Sequence, residues 1–441
     1  MRTEEPIERV KDLTDSSSNR IFNMSVEEAR ARVGSGAAAA VREIDGSFAL
    51  VARDGEIVRL ARSLDRPLRY FLAKREDGPM LVVSDRIDAI AAFLAARGLS
   101  AQFHPSYTRM VPAHHVVELH LIGCPDPDAT HERFFTPPRG TLPADLDEIG
   151  RLYVGALLWE VSKWLDAIPA GEPIGVLFSG GIDSGAVFLV IHHALLSRGE
   201  SPARLKAFTL SLGGGQDLEQ ARGFLRPLGL ELFLEPLDPG RDALDPLEAV
   251  RVVEDYKSLD VESAASALAA CREIRTRYPD WRHLADGDGG DENLKDYPIE
   301  ENAELTIHSV LNNPLLYQEG WGVGKLKHSR TYTGGLSRAC ARSYAPLRRY
   351  GFEGFSPFMR PGMIEIAEGI PFAALTGSDV GCLYALKGEV VSRGIRQWTG
   401  KNMPVFPKRR FQHGALPPGE AARRFPLREA EYRAHFHSLY A

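Results

Sequence analysis

Two kinds of hydrophobic pattern divide the chain near residue 140. From about residue 36 to residue 135, short apolar stretches alternate with polar turns, which is the pattern of strands in a partly buried sheet. Strands are predicted at 46–52, 56–62, 68–73, 80–84 and 114–122. This part of the chain is therefore predicted to be a β-rich domain, preceded by a polar, loosely ordered stretch at 1–20.

The pattern changes after segment 137–147, which is rich in proline, glycine and acid and is interpreted as a linker. Apolar positions at helical spacing predict a helix over 148–168, and apolar strands then alternate with helices. Further strands are predicted at 173–178, 205–211 and 231–237, and further helices at 185–196 and 217–228. Such alternation favours a doubly wound parallel sheet, so the predicted domains are 1–140 and 148–441.

Composition narrows the classes of function. The 441 residues carry 53 Lys and Arg against 59 Asp and Glu, a formal net charge of −6. This balance argues against nucleic acid as a partner. The four cysteines form no closely spaced pair, so neither a zinc site nor a disulfide framework is predicted. With no recognisable signal peptide or membrane span, we expect a cytoplasmic protein with no membrane partner.

The stretch VLFSGGIDSG joins a predicted strand to a predicted helix through a polar, glycine-rich turn. Backbone amides of such a turn and of the first helical turn point at one spot and attract an anion. Gly180 and Gly181 allow close approach of a ligand, and Ser179 and Ser184 add hydroxyl donors. Asp183 would repel a phosphate unless Mg²⁺ lies between them. The alternative is an ordinary strand-to-helix turn.

A second polar stretch, LADGDGGDE, covers residues 284–292. Its spacing does not fit a calcium loop of the EF-hand type. We interpret Asp291 as a second magnesium ligand opposite Asp183, and we expect Asp288 to face the reacting centre. The alternative is a solvated acidic turn at the end of a strand.

Together these stretches resemble the asparagine synthetase family, which includes the β-lactam and carbapenam synthetases. SGGIDS is similar to the pyrophosphate loop of the ATP pyrophosphatases, and DGDGGDE is similar to the acidic segment of the family. Supporting similarities lie at 217–232, 256–265 and 351–359. The resemblance implies a synthetase domain of the adenine nucleotide α-hydrolase-like fold, with ATP and Mg²⁺ as cofactors.

The resemblance also implies roles for individual residues. ATP and pyrophosphate are expected to contact Phe178, Ser179, Gly180, Gly181, Asp183, Ser184, Leu210 and Gly287, and the metal to contact Asp183 and Asp291. The residues expected to be catalytic are Asp288, Lys387, Lys408 and Glu353.

Some of these roles have alternatives. Lys408 best fits the lysine on the pyrophosphate side, and either Lys387 or Lys401 fits the lysine that polarises the acyl-adenylate. The basic run at 408–410 also fits a solvated surface, and Glu353 also fits a structural ion pair.

The β-rich half resembles the N-terminal glutaminase domain of the same family, an Ntn-hydrolase-like domain, through residues 46–71 and 80–90. Glutamine hydrolysis in that domain needs a cysteine at the exposed amino terminus. This chain begins Met1-Arg2-Thr3, and its first cysteine is Cys124. The domain is therefore expected to lack its nucleophile and its glutaminase activity.

The sequence thus predicts an ATP-dependent synthetase that forms AMP, pyrophosphate and an amide or lactam through an acyl-adenylate. Expected partners are a small carboxylic acid and an amine or ammonia, with a separate glutaminase or carrier protein as a further candidate and a homodimer as the expected assembly. Arg360, in place of the family's aspartate, suggests an acid other than aspartate. The alternatives are sulfur transfer or tRNA modification by another ATP pyrophosphatase, and an inactive scaffold.

Overall fold

The computed structural model describes residues 9–76, 78–122, 129–294, 343–407, 414–417 and 419–441. Within these residues the chain forms two compact units. One runs to Thr136 and includes His437–Ala441, and the other runs from Pro137 to Phe436. The boundary after Thr136 lies at the start of the segment interpreted as a linker.

The first unit contains helices and two four-stranded sheets of short strands. In chain order its elements are β1 (Val10–Asp12), β2 (Arg20–Ile21), α1 (Val26–Gly34), α2 (Ala38–Arg42), β3 (Gly46–Ser47), β4 (Ala49–Asp54), β5 (Ile57–Arg62), β6 (Arg69–Ala73), β7 (Met80–Ser84), α3 (Ile87–Ala96), β8 (Arg109–Met110), β9 (His115–His120) and β10 (Thr130–Arg133). The strand orders are β1-β7-β6-β8 and β10-β9-β5-β4, and β2 pairs with β3.

The side chains of each strand point alternately to the two faces of its sheet. The first unit therefore has four layers, two sheets with helices on the outer face of each. In β4, Ala49 and Val51 join a core between the two sheets, whereas Leu50 and Ala52 face α1 and α2. In β7 the alternation is the same, and Val82 lies in a cluster with residues of α3. Each sheet is therefore covered on both faces, which explains the nearly continuous apolar runs in its strands.

The three helices of this unit were not predicted from the sequence. Helix α1 buries only Ala29 and Val33, so its apolar face is too narrow to stand out. A capping box was the available signal, because Ser25 and Glu28 hydrogen-bond to each other's backbone N–H groups.

The second unit contains the predicted α/β pattern. Its elements are α4 (Leu146–Asp166), β11 (Ile174–Leu177), α5 (Ile182–Ser197), β12 (Leu205–Leu210), α6 (Gln216–Leu225), β13 (Leu234–Leu237), α7 (Pro246–Val253), α8 (Ser258–Arg277), β14 (His283–Ala285), α9 (Gly290–Asn293), α10 (Ala345–Arg349), β15 (Glu353–Phe355), α11 (Pro361–Gly369), α12 (Phe372–Thr376), α13 (Leu383–Thr399) and α14 (Ala421–Arg424), followed by α15 (Glu429–Ser438). One prediction was too long, because 231–233 is a 3₁₀ turn rather than part of a strand.

The five strands of the second unit form one parallel sheet in the order β13-β12-β11-β14-β15. The chain moves outward from β11 through β12 to β13, and then returns to the other side of β11 to add β14 and β15. The crevice between the carboxyl ends of β11 and β14 is thus a topological switch point, where ligands bind in open α/β sheets.

Helix α13 packs against α4 and α5 at close range. A Cβ on Gly150 of α4 would lie 2.7 Å from the carbonyl oxygen of Val390 and 2.9 Å from the amide nitrogen of Gly394, both in α13. The close approach fixes α13 beside the sheet. Among the described residues, no helix combines the length and apolar character needed to span a membrane.

Candidate active site

Two glycines determine the conformation of the turn after β11. Gly180 has a φ of 72°, and a Cβ there would lie 2.9 Å from the backbone of Ala221 in α6. Gly181 is the N-cap of α5, and no side chain of the described residues caps this helix. The amides of the first turn of α5 therefore lie at the carboxyl edge of β11 without a capping side chain, as an anion site requires.

The two serines predicted to bind phosphate lie together inside this turn. Their hydroxyl oxygens are 3.1 Å apart, and the N–H of Ser179 donates to Oγ of Ser184 at 3.2 Å. The carbonyl of Ser179 accepts a hydrogen bond from Nε2 of Gln220, at 3.2 Å. Gln220 is buried in α6, so this hydrogen bond attaches the turn to α6.

Two other residues predicted to bind nucleotide support the site through the sheet. Phe178 is 2% exposed, its N–H donates to the carbonyl of Phe208, and its own carbonyl accepts from the Thr209 hydroxyl. Because both of its backbone groups are used in the sheet, Phe178 anchors the turn. Leu210 is also buried and ends β12, the parallel neighbour of β11, at the same edge.

The acidic stretch after β14 lies directly against the first turn. A Cβ on Gly287 would be 2.8 Å from the amide nitrogen of Ser184, and one on Gly290 would collide with the carboxylate of Asp183. Only glycine fits such an approach, since the two backbones have no room for a side chain between them. The spacing of the glycines in this stretch is therefore what allows the two acidic segments to meet.

Asp183 and Asp291 come together at this contact. Nζ of Lys387 lies 2.6 Å from Oδ2 of Asp183 and 2.5 Å from Oδ1 of Asp291. The lysine side chain, from α13, is 1% exposed, whereas the two carboxylates are 20% and 33% exposed. Two carboxylates that share one cation, with part of their surface open, form the centre of the candidate site.

The donor set fits a divalent cation. Both carboxylates already lie within contact distance of a single positive charge, and carboxylate oxygens are the ligands that Mg²⁺ prefers. No group of three or more His, Cys, Asp or Glu side chains suited to a metal occurs among the described residues. A magnesium ion at this site would therefore take its remaining oxygens from phosphate and water, which is usual for Mg²⁺ in nucleotide enzymes.

The loop between β14 and α9 is fixed by Asp286, which the sequence prediction did not include. Oδ1 of Asp286 accepts from the N–H of Asp288 and Oδ2 accepts from the hydroxyl of Ser356, both at 3.0 Å. Burial and the neighbouring Asp288 carboxylate raise the pKa of Asp286 well above its usual value. Asp288 itself is half-buried and lies on this loop, just before α9, which carries Asp291.

The structure describes two of the three lysines that the sequence suggests for the site. Lys387 was predicted as a candidate to polarise an acyl-adenylate, but the structure places it against the proposed metal carboxylates. Lys401 instead lies near His192, whose pKa is lowered by burial and, to a smaller extent, by Lys401. Lys408 lies outside the described residues. The adjoining described segment lies near β12, since the carbonyl of Ala415 accepts from the N–H of Leu212.

Glu353 does not join Asp288 and Lys387 at the carboxyl edge of the sheet. It begins β15 and is paired in register with His283, the first residue of β14, so it lies at the amino end of both strands. Its carboxylate is 3.1 Å from Nδ1 of His283 and 3.6 Å from Arg282. This placement corresponds to the alternative made from the sequence, a structural ion pair, and gives no support to a role in proton transfer.

Arg360, which replaces a family aspartate, is also buried in an ion-pair cluster. Its Nε lies 3.5 Å from Oε2 of Glu160, which is 2.9 Å from Nζ of Lys163. Arg360 and Glu160 are 1% and 3% exposed. The substitution thus attaches the segment after β15 to α4 inside the unit.

Part of the chain is similar to a known protein family. Residues 166–361 match the family model for asparagine synthase. The match includes both glycine-rich turns and strands β11 to β15, whereas Lys387 on α13 lies beyond it. No curated protein sequence matches the chain.

Proposed function

We propose that residues 166–361, which match the family model for asparagine synthase, act as an ATP-dependent carbon–nitrogen ligase. From this premise we propose that the protein joins a small carboxylic acid to an amine or ammonia through an acyl-adenylate, with release of pyrophosphate and AMP. The observation that carries the proposal is the meeting of Asp183 and Asp291 beside the amides of α5, at the switch point of the sheet.

The first step activates the acid. An oxygen of the substrate carboxylate attacks the α-phosphorus of ATP, the bond from that phosphorus to the α,β-bridging oxygen breaks, and pyrophosphate leaves. The amides and hydroxyls of residues 179–184 bind the departing phosphates. Each such preorganised donor is typically worth about 3–4 kcal/mol when it is removed.

Charge at this step is balanced by the chain and by magnesium. Asp183 and Asp291 would hold Mg²⁺, which when bound supplies positive charge to the departing pyrophosphate. We propose that Lys387 lies next to the phosphates and adds a second positive charge, because its ammonium group already contacts both carboxylates. Lys408 remains a candidate for the same side of the site.

The second step forms the amide bond. The nitrogen of the amine attacks the acyl carbon, loses a proton, and AMP leaves with the electrons of the broken carbon–oxygen bond. Asp288 is proposed to take the proton, because it is half-buried and lies three residues before Asp291. If acid and amine belong to one molecule, the product is a lactam.

The two cysteines in the described part of the chain favour carbon–nitrogen rather than sulfur chemistry. Cys271 is buried, and this burial raises the pKa of its thiol far above the usual range. Cys382 is exposed, and the carboxylate of Asp379 raises its pKa as well. Sulfur transfer favours a reactive thiolate, and neither of these two cysteines is in an environment that produces one.

We also propose that the first unit is an Ntn-hydrolase-like domain without glutaminase activity. Its helix–sheet–sheet–helix layering is consistent with that fold. Before residue 137 the only cysteine is Cys124. The nitrogen would then come from a free amine, from ammonia or from a separate glutaminase.

Exchange of labelled pyrophosphate into ATP tests the adenylation step. The purified protein is incubated with Mg²⁺, ATP, labelled pyrophosphate and a panel of small carboxylic acids. We expect label in ATP only with particular acids, and AMP once an amine is added. Product mass then separates an amide from a thioamide. Formation of ADP and phosphate in place of AMP, or no exchange with any acid, would contradict the proposal.

A further inference from the structure

A buried side chain attaches the loop before α9, which carries Asp288 and leads to Asp291, to the rest of the sheet. Asp286 follows β14 directly, is 4% exposed, and donates its N–H to the carbonyl of Phe355 at 3.1 Å. Its carboxyl group accepts from the N–H of Asp288 within the loop and from the hydroxyl of Ser356 at the end of β15. It also forms a hydrogen bond with the side chain of Ser343, just before α10.

These bonds join three segments of the chain at one point. The first is the loop itself, the second is the turn after β15, and the third is the segment before α10. All of them meet at the carboxyl edge of the sheet. A carboxyl group that is nine-tenths buried and hydrogen-bonded to three segments restricts the loop far more than an exposed turn would.

The position of this loop decides how the proposed metal ligands face each other. Gly287 lies against the backbone of Ser184, and Gly290 lies against the side chain of Asp183. Neither position has space for a Cβ atom. A small shift of the loop would therefore open the gap between Asp183 and Asp291. We propose that Asp286 is a positioning residue that sets the separation of these two carboxylates. This inference rests on the proposed function, because it assigns the two carboxylates to the metal.

A neutral side chain of the same shape is a fair replacement for Asp286. Burial and Asp288 both favour the protonated form of its carboxyl group, and this raises its pKa. In Asp286→Asn the amide oxygen still accepts from Asp288, whereas in Asp286→Ala all three bonds are lost. Ser356→Ala removes only the hydrogen bond to the end of β15. This variant replaces Asp286→Ala in the test if Asp286→Ala does not fold.

The test measures metal binding rather than turnover. Calorimetry gives the dissociation constant of the preformed complex of Mg²⁺ with α,β-methylene-ATP, called here the Mg²⁺ constant, for wild type and for each variant. We expect a roughly tenfold weaker constant for Asp286→Ala, a smaller loss for Ser356→Ala, and recovery to within about threefold for Asp286→Asn. Ile274→Val, a buried methyl deletion in α8, is the control, with a lower melting temperature and an unchanged Mg²⁺ constant.

The outcomes separate this inference from the function on which it rests. A lower melting temperature with an unchanged Mg²⁺ constant in both Asp286→Ala and Ser356→Ala would show a purely structural role and overturn the proposal. Equal loss in Asp286→Asn and Asp286→Ala would also overturn it, because the acceptor is kept in the first. In both cases, metal binding by the wild type would leave the proposed function standing, whereas no binding by the wild type would overturn both.

Discussion

The carboxylates of Asp183 and Asp291 contact the same atom, Nζ of Lys387, at 2.6 and 2.5 Å. Asp183 is in the first turn of α5 and Asp291 is in α9, and these two helices follow the neighbouring strands β11 and β14. One ammonium group therefore serves two carboxylates. This shared contact supports the proposal that the two carboxylates hold a divalent cation, whose charge matches theirs.

Asp183→Asn and Asp291→Asn should each lower the rate of AMP formation by at least about 100-fold. Each change removes half of the charge that would hold the metal against the departing pyrophosphate, at a cost of several kcal/mol in the transition state. The measurement is AMP release at saturating ATP. Asp166→Asn, which alters an exposed ion pair with Arg198, is the matched control and should retain the wild-type rate. Full AMP output from Asp183→Asn would refute the metal role.

Gly180→Ala should weaken ATP binding strongly, whereas Gly199→Ala should not. The two glycines have nearly the same backbone conformation, with φ of 72° and 69°. The strain of an alanine in this left-handed conformation is therefore the same at both positions, about 1–2 kcal/mol. Only at Gly180 does the new Cβ meet backbone, at 2.9 Å from Ala221, and at Gly199 it meets nothing within 4 Å. Fluorescence titration with an ATP analogue checks this. Equal affinities for the two variants would mean that the turn does not contact nucleotide.

Gln220→Leu should raise the KM for ATP by roughly fivefold, with a smaller effect on kcat. The substitution removes the hydrogen bond from Nε2 to the carbonyl of Ser179, worth about 1 kcal/mol. The turn then loses its support from α6 while the chemical groups of the site remain. Gln216→Leu, at an exposed position one turn earlier in the same helix, controls for the change of residue type. An unchanged KM in both variants would contradict the supporting role of Gln220.

Asp255→Asn should stabilise the protein at neutral pH. Burial, with a contribution from Asp260, raises the pKa of Asp255 to about 6. The folded state therefore favours the protonated acid, and the free energy of unfolding falls as the pH rises from about 4 to about 6. Asparagine avoids this loss and can keep the bonds from the N–H groups of Tyr256 and Lys257.

The gain in Asp255→Asn should be about 1–3 kcal/mol at pH 7.5 and should nearly disappear close to pH 4. Urea unfolding at several pH values measures it. A gain that is equal at pH 4.5 and pH 7.5, or a loss at pH 7.5, would show that the carboxyl group is charged at no cost in the folded state.

Glutamine should not supply nitrogen to the isolated protein. A thiol nucleophile with a nearby amine is needed for its hydrolysis in glutaminases of this kind, and the described part of the first unit contains no cysteine. The measurement is glutamate release from glutamine in the presence and absence of ATP and an active acid substrate. Release above the spontaneous rate would overturn the proposal that the first unit is without glutaminase activity.

Local patterns were sufficient for much of the α/β unit. The apolar runs predicted β11 and β12 within one or two residues. The same reasoning missed α1 and α3, and it extended β13 into the 3₁₀ turn at 231–233. Period and propensity describe how one segment can be buried, and they become ambiguous where a segment is short or weakly amphipathic.

The sequence by itself determined the chemistry available to this protein: glycines that admit close contacts, serines and amides for an anion, and aspartates for a cation. Only the tertiary structure decided which of these groups meet. It brought Asp183 and Asp291 to Lys387, added Asp286 and Gln220 as supports, and left Glu353 at the other end of its strand. The reason is that strand order and direction arise from pairings between distant segments, and no local pattern in the chain specifies those pairings.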